Sequence, residues 1–326
     1  MDSIKKLSKV QINKIFDYTT CFKTQSHNDA YYVNDIVVNF SNKFLCNAFF
    51  ESSTRTSMSF ETAMLKLGGK VINFDHTTSS LKKGESFEDT IKTIQEFCDI
   101  LVLRHPDIEC INKASKFCKV PIINGGNGAG EHPTQALLDF YTIRENIDMD
   151  KPFHICFIGD IKYSRTIHSL IDLLIIMEIQ CIITFCCYTN CYPEKTYVDR
   201  LKKHFGLDNI YLSLNLYDNI QYYDVCYCTR NQSERHGDNN NLNNKNDNEN
   251  ENGNGNEHDY DVLELQINKK VLSFMKSDAI ILHPLPRNME IHPDIDDDKR
   301  AKYFDQVKNG VYVRMAILYD IFNNNK

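Results

Sequence analysis

The sequence contains no hydrophobic run that approaches the roughly 18 residues of a membrane-spanning helix. Its first six residues, Met1-Asp2-Ser3-Ile4-Lys5-Lys6, also lack the apolar core of a signal peptide. We therefore expect a cytoplasmic protein with no membrane partner, and we leave open that an organellar targeting segment has been removed.

An excess of positive charge is absent as well. The 326 residues carry a net charge of −7, and residues 238–257, with five acids and one lysine, account for −4 of it. Nucleic-acid-binding surfaces are usually strongly basic, so we expect no nucleic-acid partner. The hydrophobic share of 42% and the charged share of 25% are typical of a globular protein, and the length suggests two domains.

Motifs for metals and for nucleophilic catalysis are also missing. No two of the 12 cysteines have Cys-x-x-Cys spacing, and most lie in apolar runs, where free cysteine behaves as a small buried hydrophobe in a reducing compartment. Cys186, Cys187 and Cys191 form the densest group, for which we favour strand-end packing over metal binding. Without a metal quartet, a carboxylate cluster or a Ser-His-Asp set, we expect no metal and no cofactor.

The sequence instead alternates short apolar runs with amphipathic stretches of helical period. This alternation predicts an α/β fold of two doubly wound parallel-sheet domains. We expect the active site to lie in the cleft between them. We place the first domain at 1–147 and the second at 148–307, and expect a last helix at about 308–326 to pack back on the first. Eleven of the 20 residues in 238–257 are Asn, so we interpret 236–258 as a disordered, tolerated surface insertion.

One strand-to-helix turn carries a candidate anion site. The apolar run 44–50 predicts a strand, and Phe60, Met64 and Leu67 predict the helix that follows. A helix N-terminus favours an anion, and this one adds the hydroxyls of Ser53, Thr54 and Thr56 and the planar guanidinium of Arg55. Taken alone, the turn is at least as consistent with an N-capped helix and a surface arginine.

Other polar residues follow other predicted strands, where ligands bind in parallel α/β folds. Several arginines but one histidine occur there, which favours a substrate with several negative charges and little acid–base chemistry. His132 can donate a hydrogen bond to a carbonyl, and Pro284 and Pro286 stiffen a loop whose carbonyls remain free acceptors. The candidates at these strand ends are Arg104, His132, Gln135, Arg165, Arg230, Gln232, Leu285, Pro286 and Arg287.

Seven motifs in this order resemble the catalytic chain of the aspartate carbamoyltransferase family, and several four-residue matches in order exceed coincidence. The resemblance covers nearly the whole chain apart from the Asn-rich insertion. The motifs are Phe-Phe-Glu-x-Ser-Thr-Arg-Thr (49–56), Ser-x-x-Lys-Gly-Glu (80–85), Arg-His-Pro (104–106), His-Pro-Thr-Gln (132–135), Arg-Thr-x-His-Ser (165–169), Thr-Arg-x-Gln-x-Glu-Arg (229–235) and His-Pro-Leu-Pro-Arg (283–287).

The resemblance implies transfer of the carbamoyl group of carbamoyl phosphate to the amino group of L-aspartate, an early step of pyrimidine synthesis. It implies that Arg55, Thr56, Arg104 and His132 are the catalytic residues. It further implies a carbamoyl-phosphate set of Ser53, Thr54, Arg55, Thr56, Arg104, His132, Gln135, Leu285 and Pro286, and an aspartate set of Arg165, Arg230, Gln232 and Arg287. Family precedent makes Leu285-Pro286 a candidate cis peptide.

The resemblance also implies that Ser80 and Lys83 act in the site of an adjacent subunit, so that the working unit is a homotrimer. The loop has Leu81-Lys82 before Lys83, which leaves Lys82 open as the acting lysine. A regulatory chain or a larger pyrimidine-pathway complex is left open. Two alternatives also remain: a transferase for ornithine or another acceptor, and a non-catalytic homologue that acts as a scaffold.

Overall fold

The computed structural model describes residues 1–28, 30–230 and 265–324. Two compact units divide the chain: one comprises Met1–Glu145, Arg165–Glu178 and Phe304–Lys326, and the other Asn146–Ser164 and Ile179–Tyr303. Residues 165–178 thus group with the first unit, whereas the sequence prediction has them in the second domain. The predicted insertion at 236–258 and Gln232 lie outside the described residues.

Strands and helices alternate along most of the described chain, as the apolar periodicity predicts. The strands are β1 (Tyr32–Val33), β2 (Ile36–Val37), β3 (Phe44–Phe49), β4 (Lys70–Asp75), β5 (Ile100–His105), β6 (Ile122–Asn127), β7 (Phe153–Ile158), β8 (Cys181–Cys186), β9 (Ile210–Ser213), β10 (Val225–Cys228) and β11 (Ile280–Leu282). The α-helices are α1 (Lys9–Thr24), α2 (Thr54–Lys66), α3 (Phe87–Ile94), α4 (Cys110–Ala114), α5 (Pro133–Asn146), α6 (Arg165–Ile176), α7 (Lys195–Phe205), α8 (Lys269–Leu272) and α9 (Tyr303–Asn324).

The first unit contains a parallel sheet of order β4-β3-β5-β6. Its central strands β3 and β5 are mostly apolar, as expected for strands covered on both faces, and Leu45, Leu101 and Leu103 are fully buried. One face packs against α3 and α4, through Ile91 and Ile111 among others. The carboxyl ends of β3, β5 and β6 deliver the first group of candidate site residues.

The second unit contains a parallel sheet of order β11-β10-β7-β8-β9. A core on one face combines Cys156, Cys186 and Cys226 with Tyr223 and Ile281. The sheet therefore confirms the expectation that the cysteines in apolar runs are buried packing residues. The parallel sheets and their flanking helices confirm the predicted α/β fold.

Some local predictions were wrong. The sequence analysis did not foresee the hairpin of β1 and β2, because strands of two residues produce no periodic signal. Strand β6 continues to Asn127, since Asn124 pairs with Leu103 and Asn127 with His105 across a register shift. Helix α9 begins at Tyr303, five residues before the predicted start.

The described residues lack two kinds of structural feature. In residues 1–28, 30–230 and 265–324, no helix combines the length and apolar character needed to cross a membrane. The same residues contain no group of three or more His, Cys, Asp or Glu side chains arranged to hold a metal ion, including at Cys186, Cys187 and Cys191.

Candidate active site

The turn between β3 and α2 is the predicted anion site. We call it the anion cradle, and its residues are Ser53, Thr54, Arg55 and Thr56. Ser53 is the N-cap residue of α2 in an extended conformation, with φ −159°, yet its side chain makes no capping hydrogen bond. Thr54 and Arg55 are exposed, whereas Thr56 is buried. The hydroxyl of Ser53 is therefore not used as a cap, and the N-terminal N–H groups of α2 face a site that suits an anion.

Arg104, at the carboxyl end of β5, lies against the glycine-rich end of β6. Its Nη1 donates to the carbonyl of Gly125 at 3.2 Å. Gly126 has φ +114°, and a Cβ there would lie 2.9 Å from Arg104 Nη1 and 3.4 Å from Arg165 Cζ. Both arginines can thus approach this strand only because residue 126 has no side chain.

Glu51 brings the two arginines together. Its Oε2 lies 3.0 Å from Arg104 Nη2 and 3.9 Å from Arg165 Nη1. Arg165, the first residue of α6, also donates to the carbonyl of Gly128. Both guanidinium groups are about nine-tenths buried, so one carboxylate offsets part of a concentrated positive charge.

His132 is the buried histidine of this cluster. Its ring Nε2 lies 3.4 Å from Thr56 Oγ1, and its backbone N–H donates to Ser169 Oγ at 3.1 Å. Burial lowers the pKa of His132 well below its usual value, and the charges of Arg165, Arg104 and Arg314 lower it further. The imidazole is therefore neutral at neutral pH, and its Nδ1 has no hydrogen-bond partner among the described residues.

Gln135, one turn into α5, has its amide orientation set by a neighbour. Its Nε2 donates to Asp139 Oδ1 at 2.7 Å, and Gln306 of α9 donates to the same oxygen. Since a carboxylate can only accept hydrogen bonds, the NH₂ group of Gln135 points to Asp139. Its amide oxygen is consequently the atom available to a ligand.

In the second unit, a rigid loop follows β11. The Leu285-Pro286 peptide is cis, as predicted from the resemblance, and Leu285 has φ +54°. The N–H of Leu285 donates to His283 Nδ1 at 2.7 Å, and His283 Nε2 lies 2.7 Å from Glu290 Oε1. The N–H of Leu285, which is the backbone donor within Pro284-Leu285-Pro286, is therefore bonded inside the loop.

The predicted aspartate ligands have different surroundings. Arg230 follows β10 and is half-buried, at the edge of the described residues. Arg287 is bound to both oxygens of Asp296 and donates to the hydroxyl of Tyr303 at 3.1 Å. The Arg287 guanidinium, beside Asp296, lowers the pKa of that carboxyl.

The predicted adjacent-subunit loop is a short 3₁₀ turn at Ser80–Lys83, closed by Gly84 with φ +90°. Ser80, Lys82 and Lys83 are all exposed. Neither lysine forms an ion pair with another described residue. The turn thus projects two cationic side chains into solvent, and its geometry does not select between them.

Two family models match this chain. The carbamoyl-phosphate-binding domain of aspartate/ornithine carbamoyltransferase matches residues 1–145, and the aspartate/ornithine-binding domain matches residues 151–321. The chain belongs to the aspartate/ornithine carbamoyltransferase family.

Curated relatives of this chain are of two kinds. The aspartate carbamoyltransferase catalytic subunit of Thermococcus kodakarensis is 40% identical over 282 residues, which are 85% of this chain and 83% of that one. The multifunctional protein ura1 of Schizosaccharomyces pombe is 42% identical over 281 residues, 85% of this chain but 12% of that protein. The chain therefore spans most of the first relative and a small part of the second.

Solved carbamoyltransferase structures have the same fold. Aspartate transcarbamoylase from Trypanosoma cruzi in complex with carbamoyl phosphate has a TM-score of 0.84 and 33% identity, covering 98% of this chain and 94% of that one. The same enzyme with carbamoyl phosphate and aspartate has a TM-score of 0.84 and 32% identity. Both comparisons span nearly the full length of the two chains.

The fold brings together Thr56, Arg104, His132 and Arg165 of the carbamoyltransferase motifs, all within the first unit. Sequence reasoning assigned no role to Glu51, Asp139, Ser169 or Gly126. Glu51 and Ser169 lie inside two of the seven motifs, and this position was the sequence signal available for them. The sequence signal for Asp139 was its spacing of one helical turn from Gln135, which places the two side chains next to each other on a helix.

Proposed function

We propose that this chain transfers the carbamoyl group of carbamoyl phosphate to the amino group of L-aspartate, giving N-carbamoyl-L-aspartate and phosphate. The observation that carries the proposal is the cluster of Arg104, Arg165 and a neutral His132 beside the uncapped start of α2. Such a cluster fits a phosphorylated substrate with a polarised carbonyl. The relatives named aspartate carbamoyltransferase catalytic subunit support aspartate as acceptor.

The phosphate binds at the start of α2. Ser53, Thr54 and Thr56 donate hydroxyl hydrogen bonds, and Arg55 and Arg104 supply charge-assisted ones. The exposure of Arg55 supports this role, because a ligand can reach its guanidinium. As the phosphate leaves, the charge that develops on it is stabilised by the same donors.

The carbamoyl oxygen binds between Thr56, Arg104 and His132. This oxygen becomes anionic when the aspartate amine attacks, and preorganised donors stabilise it most at that point. A neutral imidazole suits this role, because it donates one hydrogen bond without adding a further cation to the arginine cluster. The carbamoyl NH₂ donates to the amide oxygen of Gln135, and to the carbonyls of Leu285 and Pro286.

The two carboxylates of aspartate bind to arginines, because planar guanidinium groups match carboxylate geometry. Arg165, Arg230 and Arg287 supply these groups, with Gln232 as a further polar ligand. Arg287 already binds Asp296, so its guanidinium would engage aspartate only after rearranging. Arg165 and Arg230 are accordingly the principal ligands in this proposal.

Ser80 and Lys83 act in the site of the adjacent subunit, and Lys82 is the alternative lysine. Two exposed lysines without an ion-pair partner among the described residues support this assignment. Three copies related by cyclic symmetry then form the working homotrimer. A regulatory chain or a larger pyrimidine-pathway assembly is a further proposal, suggested by the multifunctional relatives.

The reaction needs no dedicated protein base. Alignment of the amine with the carbamoyl carbon supplies much of the rate enhancement, and electrostatic stabilisation of the oxyanion supplies another large part. The departing phosphate dianion accepts the proton that the amine loses. The nitrogen–carbon bond forms first and gives a tetrahedral oxyanion. As this oxyanion collapses back to a carbonyl, the carbon–oxygen bond to phosphate breaks, and with the amine proton the phosphate leaves as hydrogen phosphate.

The decisive experiment is an assay of the purified chain with carbamoyl phosphate and either aspartate or ornithine. We expect carbamoyl aspartate with aspartate and no product with ornithine. Product from ornithine alone would move the activity to the other branch of the family. No product from either acceptor, with folded protein, would favour a non-catalytic scaffold.

A further inference from the structure

Arg314, in the middle of α9, is a buried arginine in the first unit. Its residue exposure is 3%. Its Nη1 donates to Ser59 Oγ at 3.0 Å and to the carbonyl of Gly310 at 3.2 Å, and its Nη2 donates to Thr134 Oγ1 at 3.3 Å. The guanidinium also lies 5.1 Å from the ring centre of Phe60.

None of these partners is a carboxylate, and Arg314 forms no ion pair with another described residue. Its Nε is buried and has no hydrogen-bond partner there. Burial lowers the pKa of Arg314 to about 10, against an opposing effect of the Asp139 charge. The side chain is therefore a cation at neutral pH, buried without a directly bound anion, which is an expensive arrangement in the absence of a function.

The position of the guanidinium points to that function. Ser59 belongs to α2, whose first turn is the anion cradle, and Thr134 is the second residue after His132. The charge of Arg314 is close enough to His132 to lower the pKa of that imidazole, together with Arg165 and Arg104. Glu51 contacts Arg104 and Arg165 but forms no ion pair with Arg314. The Glu51 carboxylate therefore does not directly balance the charge of Arg314.

Gly310 supports the same interpretation. A Cβ at this position would lie 2.7 Å from Arg314 Nη1 and 3.1 Å from Leu138 Cδ2. Glycine in the middle of a helix is destabilising relative to alanine. Helix α9 has this glycine at the turn where it makes room for the Arg314 guanidinium.

We propose that Arg314 is a positioning residue that acts through its contacts with Ser59 of α2 and Thr134 of α5: its buried charge strengthens the binding of the substrate phosphate at the start of α2. It touches neither the substrate nor the reacting atoms. The proposal rests on the proposed function in taking the anion to be the phosphate of carbamoyl phosphate. The charged groups that face this region are Arg104, Arg165, Glu51 and Asp139, in addition to Arg55 at the cradle.

The test compares Arg314→Met and Arg314→Lys in the full-length chain. The probe is inorganic phosphate, with its dissociation constant measured by calorimetry, and the titration of His132 is followed by NMR. We expect Arg314→Met to weaken phosphate binding about ten-fold and to raise the pKa of His132, because one repelling cation is lost. Arg314→Lys keeps a cation at this position and should bind phosphate within about three-fold of the native chain.

Arg144→Met is the matched control. Arg144 also lies in the first unit and stacks on an aromatic ring, that of Phe16, at 5.6 Å, but it is exposed. Its replacement should leave both readouts unchanged. If Arg314→Met does not fold, Arg314→Gln takes its place, because the amide keeps hydrogen-bond donors without the charge.

Native phosphate affinity and native His132 titration in a folded, uncharged Arg314 variant would overturn the proposal and leave Arg314 a packing residue. The proposal would also be overturned if Arg314→Lys lost as much phosphate affinity as Arg314→Met. The hydrogen-bond geometry of the guanidinium, and not its charge, would then determine phosphate binding. Both readouts are independent of turnover. Failure of the carbamoylation assay would therefore be distinguishable from failure of this inference.

Discussion

The amide of Gln135 shows how one neighbouring residue can decide what a side chain recognises. An amide offers a donor and an acceptor, and the sequence motif does not reveal which of them faces a ligand. Asp139 and Gln306 settle this, because the carboxylate of Asp139 accepts hydrogen bonds from both amides. The atom of the Gln135 amide that remains for a ligand is therefore an acceptor, which suits a carbamoyl NH₂ and does not suit a methyl group.

Gln135→Met should reduce the preference for carbamoyl phosphate over acetyl phosphate. Loss of one hydrogen bond to a buried group costs roughly 1–3 kcal/mol, so we expect the affinity ratio to fall about ten-fold. Both dissociation constants are measured by calorimetry. Gln95→Met is the control, since Gln95 is also buried but accepts from the N–H of Lys119. An unchanged ratio in Gln135→Met would contradict the assigned orientation.

The sequence motifs named most side chains of the candidate site but not the residues that hold them. Arg104 and His132 follow predicted strands, and parallel strands bring their carboxyl ends to one edge. Glu51 and Ser169 act through tertiary contacts with residues far along the chain, and local pattern contains no information on such contacts. Ser53 suited a helix cap as well as an anion ligand, and only its missing capping bond favours the second.

At the scale of elements, strand positions were largely predictable because apolar runs in a covered parallel sheet are continuous. The end of β6 was not, because Gly125 and Gly126 read as loop residues. They are strand residues here because Arg104 and Arg165 require close approach to the backbone. The short helices α4 and α8 were also missed, since four or five residues are too few to show a 3.6-residue period.

Gly310→Ala is a prediction at this scale, and its sign opposes helix propensity. Alanine normally stabilises a helix by about 1 kcal/mol relative to glycine. Here the added Cβ would press on Arg314 Nη1 at 2.7 Å, and overpacking of this kind costs about 1–3 kcal/mol. We therefore expect a lower midpoint of thermal unfolding, together with weaker phosphate binding.

Lys308→Ala is the control for this change, because Lys308 lies on the exposed face of the same helix. Surface substitutions of this kind usually change stability by less than about 0.5 kcal/mol. A more stable Gly310→Ala chain that keeps its phosphate affinity would show that Arg314 moves aside without consequence.

At the scale of the whole molecule, the chain divides into two units, and each unit combines segments that are separated in the sequence. Helix α6 groups with the first unit, where Arg165 and Ser169 contact residues of the glycine-rich segment and His132. Hydrophobic patterning predicted the helix but could not assign it to a unit, because an amphipathic helix shows which face is buried and not against which sheet.

The proposed homotrimer predicts complementation between inactive chains. Arg55→Ala and Lys83→Ala each remove a proposed ligand, and each chain alone should be nearly inactive. Random reassembly of equal amounts should restore about a quarter of the native activity, because one site in four combines an intact Arg55 with an intact Lys83 from its neighbour. Turnover is measured after denaturation and refolding of the mixture.

The control mixture combines Arg55→Ala with Arg104→Ala. Both of these residues belong to the same subunit's share of the site, so no hybrid contains a complete site and no activity should return. Recovery in the control, or none in the test mixture of correctly assembled hybrids, would argue against a site completed by the neighbour.

The two units differ in the exposure of their cysteine thiols to alkylating reagents. All seven cysteines of the second unit are buried, whereas Cys21, Cys98 and Cys118 of the first unit are partly exposed. Burial also raises the pKa of Cys181 to about 12, which further suppresses its reaction with alkylating reagents. Pulse alkylation followed by mass spectrometry would therefore record each opening of the second sheet as a gain of several labels, without any engineered probe.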